Sequence, residues 1–294
     1  MAIIYDYYRI FYFVAKYGSF TNAAKALINS QSNITRSIKN LENELGCQLF
    51  IRSNTGVQLT PEGKRLFKHV NIAYKHLQLA EEELIQDKSL QEGIISIGVS
   101  ETARHLILLP RLEKYHDIYP NVKIHIYNHS TPQAIKSLKE GLIDFAIITT
   151  PFECKKPLKS TPILSFKEIL IGGSKFKSIK DKTLDFCSLL KYPFIGLGKE
   201  TATYNFYHDL YISNNLIYKP DIEVATSDQI LPMVTHNLGI AFIPEKFALK
   251  SIQKNQVYKL NLADEIPSRD ICIVKNSDYP LNFASLKFVK MLCS

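Results

Sequence analysis

A chain of 294 residues is too long for one small domain and suits two or three, and its 46% apolar residues can fill a sizeable core. No run of about 18 apolar residues occurs, which argues against a membrane span. Asp6, Arg9 and Lys16 interrupt the apolar start MAIIYDYYRIFYFVAKYG, so we expect an amphipathic first helix rather than a secretory signal, and a cytoplasmic protein.

The net charge of +8 is unevenly spread. Residues 1–75 hold ten Lys/Arg against four Asp/Glu, whereas residues 76–92 hold one against five. A compact basic stretch at the N-terminus suits phosphate binding. The five cysteines, Cys47, Cys154, Cys187, Cys272 and Cys293, are scattered and form no C-x-x-C. Neither a disulfide framework nor a zinc site is expected from them, and buried free thiols are the simpler reading.

Residues 3–17 have helical apolar spacing through Ile4, Tyr7, Tyr8, Phe11, Val14 and Ala15, and Gly18-Ser19 ends that helix. A second helix is expected from about Thr21, whose hydroxyl would cap it, to Ile28. After the turn Asn29-Ser30, a third helix runs from about Ser32 to Glu44, with Ile34, Ile38, Leu41 and Leu45 on one face and Gly46 as its stop. The segments Leu49–Ile51 and Val57–Leu59 read as short strands around a polar tip, a hairpin or wing. Thr60 caps the next helix and Pro61 occupies its first turn. That helix reaches about Lys88, with Leu66, Val70, Ala73, Leu77, Ala80 and Leu84 in a heptad seam through which two copies should pair.

The pattern changes at Gly93. Strands at 94–100, 122–128 and 145–148 alternate with helices at 106–119 and 132–140, an order that implies a parallel, doubly wound sheet. Further strands are expected at 164–172, 193–197, 240–245 and 271–275, with helices near 203–213, 228–237 and 283–292. The fold class is therefore α/β: an N-terminal helix-turn-helix with a wing, a linker helix, then a two-lobed domain. We assign residues 1–60 to the first, 61–90 to the linker and 93–294 to the last. Its first lobe takes 93–162 and 267–294, its second 163–266, with links near Pro162 and Pro267.

The segment from Phe11 to Gly63 resembles the LysR-type winged helix-turn-helix. The resemblance is carried by Phe11, Gly18-Ser19-Phe20, Ala23-Ala24, Leu27, Ser30-Gln31, Ile38, Leu41-Glu42, Leu45-Gly46, Leu49-Phe50, Arg52, Leu59-Thr60 and Gly63. Leu109-Pro110, Tyr119-Pro120, Gly141–Asp144 and Gly239–Pro244 are similar to that family's sensor domain, so the likeness spans the chain, more loosely after residue 93. It implies a transcription regulator with a periplasmic-binding-protein-like sensor. Its partners would be double-stranded promoter DNA with a T-N11-A core and a small-molecule effector. It would assemble as a dimer of dimers, bind no membrane and require no cofactor.

A helix-turn-helix presents the N-terminal residues of its second helix to base edges in the major groove. Here those are Gln31, Ser32, Asn33, Thr35 and Arg36. Glutamine pairs with adenine, and arginine with guanine or phosphate. The resemblance adds Arg52 and the wing tip at Asn54. Two departures from the family stand out: the tip Asn54-Thr55-Gly56 lacks its frequent basic residue, and Ser32 replaces a frequent proline.

In a two-lobed sheet protein, ligand sits in the crevice beyond the carboxyl ends of the strands. Ser100 and Thr102, Ser130 and Thr131, and Thr149 follow three first-lobe strands, and Thr203 and Ser227 mark the matching edges of the second. Hydroxyls near helix N-termini suit a small anion such as a carboxylate, although Glu101 argues against a purely anionic preference. The plain alternative for each hydroxyl is helix capping. A solute-binding protein or enzyme on the same two-lobed fold is the competing function. The eight dispersed histidines offer no metal cluster, and there is no G-x-S-x-G, H-E-x-x-H or P-loop, so no catalytic or metal-binding residue is assigned. A structural nucleoid protein would leave some 200 sensor residues idle.

Overall fold

Two glycines set the helix ends of the N-terminal unit: Gly18 and Gly46 follow their helices at φ +59° and +68°, left-handed positions where a side chain would be strained. The computed structural model describes residues 4–53, 56–85 and 93–293, without the side chains of residues 52, 53, 56 and 79–85. Contacts divide the chain into a unit of residues 1–89 with 278–280 and a second of 90–277 with 281–294.

The first unit holds α1 (Tyr5–Tyr17), α2 (Phe20–Ala26), α3 (Gln31–Leu45), β1 (Phe50–Ser53), β2 (Gly56–Leu59) and α4 (Pro61–Ile85). Its core gathers Phe11 and Val14 of α1, Ala23 of α2, Ile34, Ile38 and Leu41 of α3, and Leu49, all at 1% exposure or less. The cap of α2 is Ser19, not the expected Thr21. Ser19 is extended and its hydroxyl accepts from Asn22 N, so Phe20 already belongs to the helix. Thr21 Oγ1 instead donates to Gln31 Oε1 at 3.3 Å. Thr60 caps α4 as expected, accepting from Gly63 N at 2.9 Å.

The heptad seam is split. Leu66 and Val70 pack into the unit's own core, so the first part of the stripe is consumed within the chain. Ala73 and Leu77 stay exposed, while the side chains of Ala80 and Leu84 lie outside the described residues.

The second unit begins with β3 (Gly93–Val99), α5 (Glu101–Ala103), a π-helical turn over Arg104–Leu108, α6 (Leu109–Ile118), β4 (Val122–Asn128), α7 (Thr131–Lys139), β5 (Phe145–Thr149) and β6 (Leu158–Phe166). Then follow β7 (Glu168–Gly173), β8 (Thr183–Leu184), α8 (Phe186–Leu189), β9 (Ile195–Leu197), α9 (Ala202–Ser213), β10 (Ile222–Val224), α10 (Ile230–Thr235), β11 (Ile240–Pro244), α11 (Glu245–Gln253), β12 (Val257–Lys259), β13 (Asn261–Leu262), β14 (Arg269–Asn276) and α12 (Phe283–Cys293).

Five strands form one sheet in the order β4-β3-β5-β14-β6. The expected parallel pairing is found for β4, β3 and β5, but β14 runs antiparallel to both β5 and β6. β14 enters from the second half of the unit rather than through a crossover helix, so nothing constrains it to the parallel sense. The second half is built on β11-β7-β12, all antiparallel, and on the parallel pair β9 and β10. β5 is buried on both faces: Phe145 and Ile147 join one core, Ala146 and Ile148 another. That explains its unbroken apolar run.

The expected single strand 164–172 is two strands in two sheets. β6 pairs with β14 from Leu158 to Phe166 with one irregularity at Ile163, Pro162 stands opposite Cys272, and the chain leaves this sheet at Lys167 rather than near Pro162. β7 then pairs with β11 from Glu168 onward. The apolar pattern runs across the break because both strands bury side chains.

Candidate functional site

In the first unit, α3 separates its faces cleanly. Gln31, Ser32, Asn33 and Arg36 are exposed, Thr35 is half-buried, and Ile34, Ile38 and Leu41 turn inward. The helix is capped by Ser30, whose hydroxyl accepts from Asn33 N at 3.2 Å. Part of the polar turn is pre-set by local bonds: Asn33 Nδ2 donates to Asn29 Oδ1 at 3.1 Å, and the Ser30 and Ser32 hydroxyls lie 3.0 Å apart. Arg36 makes no ion pair among the described residues, so its guanidinium is available to an outside acceptor. Asn29 and Ser30 were missed as organising residues, although Asn and Ser just before a helix are the ordinary capping signal.

Glu42 positions the wing. Its Oε1 accepts from Leu49 N at 2.7 Å and from Phe50 N at 3.3 Å, and Val57 N donates to Gly18 O at 3.1 Å. The backbone of Arg52 pairs with Val57, but its side chain and all of Asn54 lie outside the described residues.

In the second unit, a cavity of about 490 Å³ lies between the two halves. All seven hydroxyl residues expected there line it: Ser100, Thr102, Ser130, Thr131, Thr149, Thr203 and Ser227. Their local roles differ. Thr102 and Ser227 face each other across the cleft, oxygen to oxygen at 3.4 Å. Thr131 Oγ1 donates to Thr149 O, and Ser130 N donates to Gln133 Oε1. Ser100 stands at the N-cap position before Glu101, yet its buried hydroxyl makes no hydrogen bond among the described residues. Among residues the sequence reading did not single out, Asn128, Gln133 and Glu223 also line the cavity.

Beneath Thr149 and Thr203 lies a buried ion pair that sequence reasoning missed. Arg269 Nη1 donates to Glu168 Oε1 at 2.9 Å, with side chains only 2% and 4% exposed. Arg269 Nε donates to Thr150 O at 2.8 Å, and Nη2 to Thr203 Oγ1 at 3.0 Å and Thr149 Oγ1 at 3.3 Å. The Tyr207 hydroxyl donates to the other Glu168 oxygen. One guanidinium thus joins the five-stranded sheet to the strand and helix opposite. Burial pushes the Glu168 carboxyl up and the Arg269 guanidinium down, while each partner's charge opposes the shift. Glu101 is also engaged, by Arg104 and His105 on one oxygen and Asn128 on the other. Burial lowers the pKa of His129.

Among the described residues there is no group of three or more potential metal ligands, and no helix is long and apolar enough to cross a membrane.

Two family descriptions match this chain. Residues 5–64 match the bacterial regulatory helix-turn-helix protein of the lysR family, and residues 88–293 match the LysR substrate binding domain. The HTH-type transcriptional regulator CzcR of Bacillus subtilis (strain 168) is 31% identical over 265 residues, covering 90% of this chain and 87% of that protein. Among solved structures, a full-length OxyR variant from Pseudomonas aeruginosa has a TM-score of 0.79 at 19% identity, covering 100% of this chain and 94% of that one. ArgP from Mycobacterium tuberculosis has a TM-score of 0.76 at 16% identity, covering 98% and 95%.

Proposed function

The chain belongs to the LysR family of transcriptional regulators, and we propose that it reads promoter DNA through the first turns of α3 and answers a small molecule held in the cleft of its second unit. The observation that carries this reading is the division of α3: an exposed polar start holding Gln31, Ser32, Asn33, Thr35 and Arg36, over a buried apolar face. Such a helix can enter a major groove without disturbing the core behind it. Arg36 is assigned to guanine or phosphate and Gln31 to a base edge. Thr21, which holds Gln31 Oε1, is a positioning residue. Arg52 and Asn54 are assigned to the wing contact by resemblance. Ser100, Thr102, Ser130, Thr131, Thr149, Thr203 and Ser227 are assigned to the effector.

The assembly proposed is a homo-oligomer, a dimer of dimers, acting in the cytoplasm as a regulator without catalytic activity. Its first interface is α4. A groove of about 290 Å³ between α1 and α4, with Tyr5, Tyr8, Ala73 and Tyr74 beside the polar Arg9 and His69 on its walls, supports pairing there. Two copies would match two half-sites of a partly palindromic operator.

The test is fluorescence anisotropy of the full-length protein on its own promoter duplex and on a scrambled duplex, across salt concentrations. Tight, salt-dependent preference for the promoter is expected, and equal affinity for both would sink the reading. Arg36→Ala should weaken specific binding by about 1–3 kcal/mol, with the oligomer unchanged by light scattering.

A further inference from the structure

We infer that the cleft is built for a small zwitterion, a molecule carrying a cationic nitrogen as well as a carboxylate; this rests on the cleft being the effector site. The two sides of the cavity differ in charge. On the side of the five-stranded sheet, Ser100 is 8% exposed and its hydroxyl has no partner among the described residues. Capping does not account for it, because the helical segment it precedes receives no bond from that oxygen. The N-terminus of α7, at Ser130 and Thr131, lines the same side. A hydroxyl donor beside a helix N-terminus favours an oxyanion.

The opposite side is acidic. Glu200 and Glu223 line it, both exposed, and neither makes an ion pair among the described residues. Glu223 Oε2 lies over Gly198 at the end of β9, 3.9 Å from where a Cβ on that glycine would stand. Among the described residues no lysine or arginine lines the cavity. Glu101 is already paired with Arg104, and the donors of Arg269 are engaged below the floor. His129 has its pKa lowered by burial, which favours its neutral ring. A simple carboxylate would therefore meet two uncompensated negative charges, and a simple amine would leave Ser100 and the α7 terminus unused. A molecule with both groups satisfies both sides, which refines the small anion expected from the hydroxyls alone. The volume of about 490 Å³ accommodates a ligand of amino-acid size with room for water.

The experiment is calorimetric titration and thermal melting of the full-length protein with the proteinogenic amino acids, each beside its amine-free acid and its carboxylate-free amine. At least one amino acid should bind and raise the melting temperature, as a ligand of the folded state does. Its two half-molecules should bind roughly tenfold more weakly or worse, the scale of one lost charged hydrogen bond. Glu223→Gln, at an exposed position, should weaken the amino acid roughly tenfold while leaving the amine-free acid no weaker. The proposal is overturned if the amine-free acid binds as tightly as the amino acid, if Glu223→Gln changes nothing, or if no amino acid binds. Ala225→Trp, exposed and on the cavity wall, separates the two levels of the argument. An amine-free acid that binds the wild type as tightly as the amino acid does, and is lost in Ala225→Trp, refutes the zwitterion and leaves the cleft standing. An amino acid that binds Ala225→Trp as tightly as the wild type removes the ligand from the cleft and refutes both.

Discussion

Replacing Arg269 with methionine should cost the second unit about 3–5 kcal/mol, the usual consequence of leaving a buried charge without its partner. The structure argues for the full effect. Both side chains are nearly inaccessible and 2.9 Å apart, and the guanidinium also holds Thr149, Thr150 and Thr203. Without it, Glu168 keeps the Tyr207 hydroxyl but no positive charge. For a domain of this size the loss corresponds to a melting point lower by roughly 6–20 °C. The effect has a definite pH dependence. Burial already raises the Glu168 pKa, and Arg269 supplies the opposing influences, so the variant raises it further. A carboxyl whose folded pKa exceeds its unfolded value penalises the fold only when ionised. The penalty is absent below the unfolded pKa of about 4.3 and grows as pH rises toward the folded value. Arg269→Met should therefore melt closer to the wild type at pH 5 than at pH 8. Adding Glu168→Leu removes the orphaned carboxylate and should recover more than half of the loss. Calorimetric melts of the three proteins at both pH values test this. Equal destabilisation of single and double variants, or a loss independent of pH, would show that an orphaned Glu168 charge is not the source of the cost.

Three further outcomes follow from local geometry. Glu42→Ala leaves the Leu49 and Phe50 amides without their acceptor and should cost about 1–3 kcal/mol; urea denaturation reads the loss, and an unchanged midpoint contradicts the role given to Glu42. Gly63→Ala drives a Cβ into the Leu49 carbonyl oxygen and should cost about 1–3 kcal/mol, which a melt of the full chain would detect. His129, with its pKa lowered by burial, contributes stability that is present above about pH 6.5 and lost as pH falls through the folded pKa. His129→Gln should flatten the acid side of a plot of melting temperature between pH 5 and 7.5, and an unaltered plot would exclude His129 as the cause.

The residues read from sequence as functional are those whose setting is local. The first turns of α3 were legible because its start, its stop at Gly46 and its buried stripe of Ile34, Ile38 and Leu41 all follow helical spacing. The hydroxyls of the cleft were legible because each sits just beyond a strand or at a helix start, and the strands themselves stand out by their apolar runs. Local pattern failed wherever two settings share one pattern. Ser19 and Thr21 can both cap a helix, and only the observed start of α2 chooses Ser19. Leu66 and Val70 suit a partner helix or the unit's own core, and packing took them inward. β6 and β7 form one apolar run with Lys167 between them, so their separation into two sheets leaves no trace in composition.

Local pattern alone thus suffices for the helix-turn-helix with the exposed polar start of α3, the positions of most strands, and the loops that meet at the cleft. The order and sense of the strands emerge only on folding, as does the pair Arg269 and Glu168, 101 positions apart. Alone, each of those residues reads as a charged strand end. Their meaning arises when β14 returns beside β5 and β6 and brings the guanidinium under the cleft, where burial makes each charge require the other.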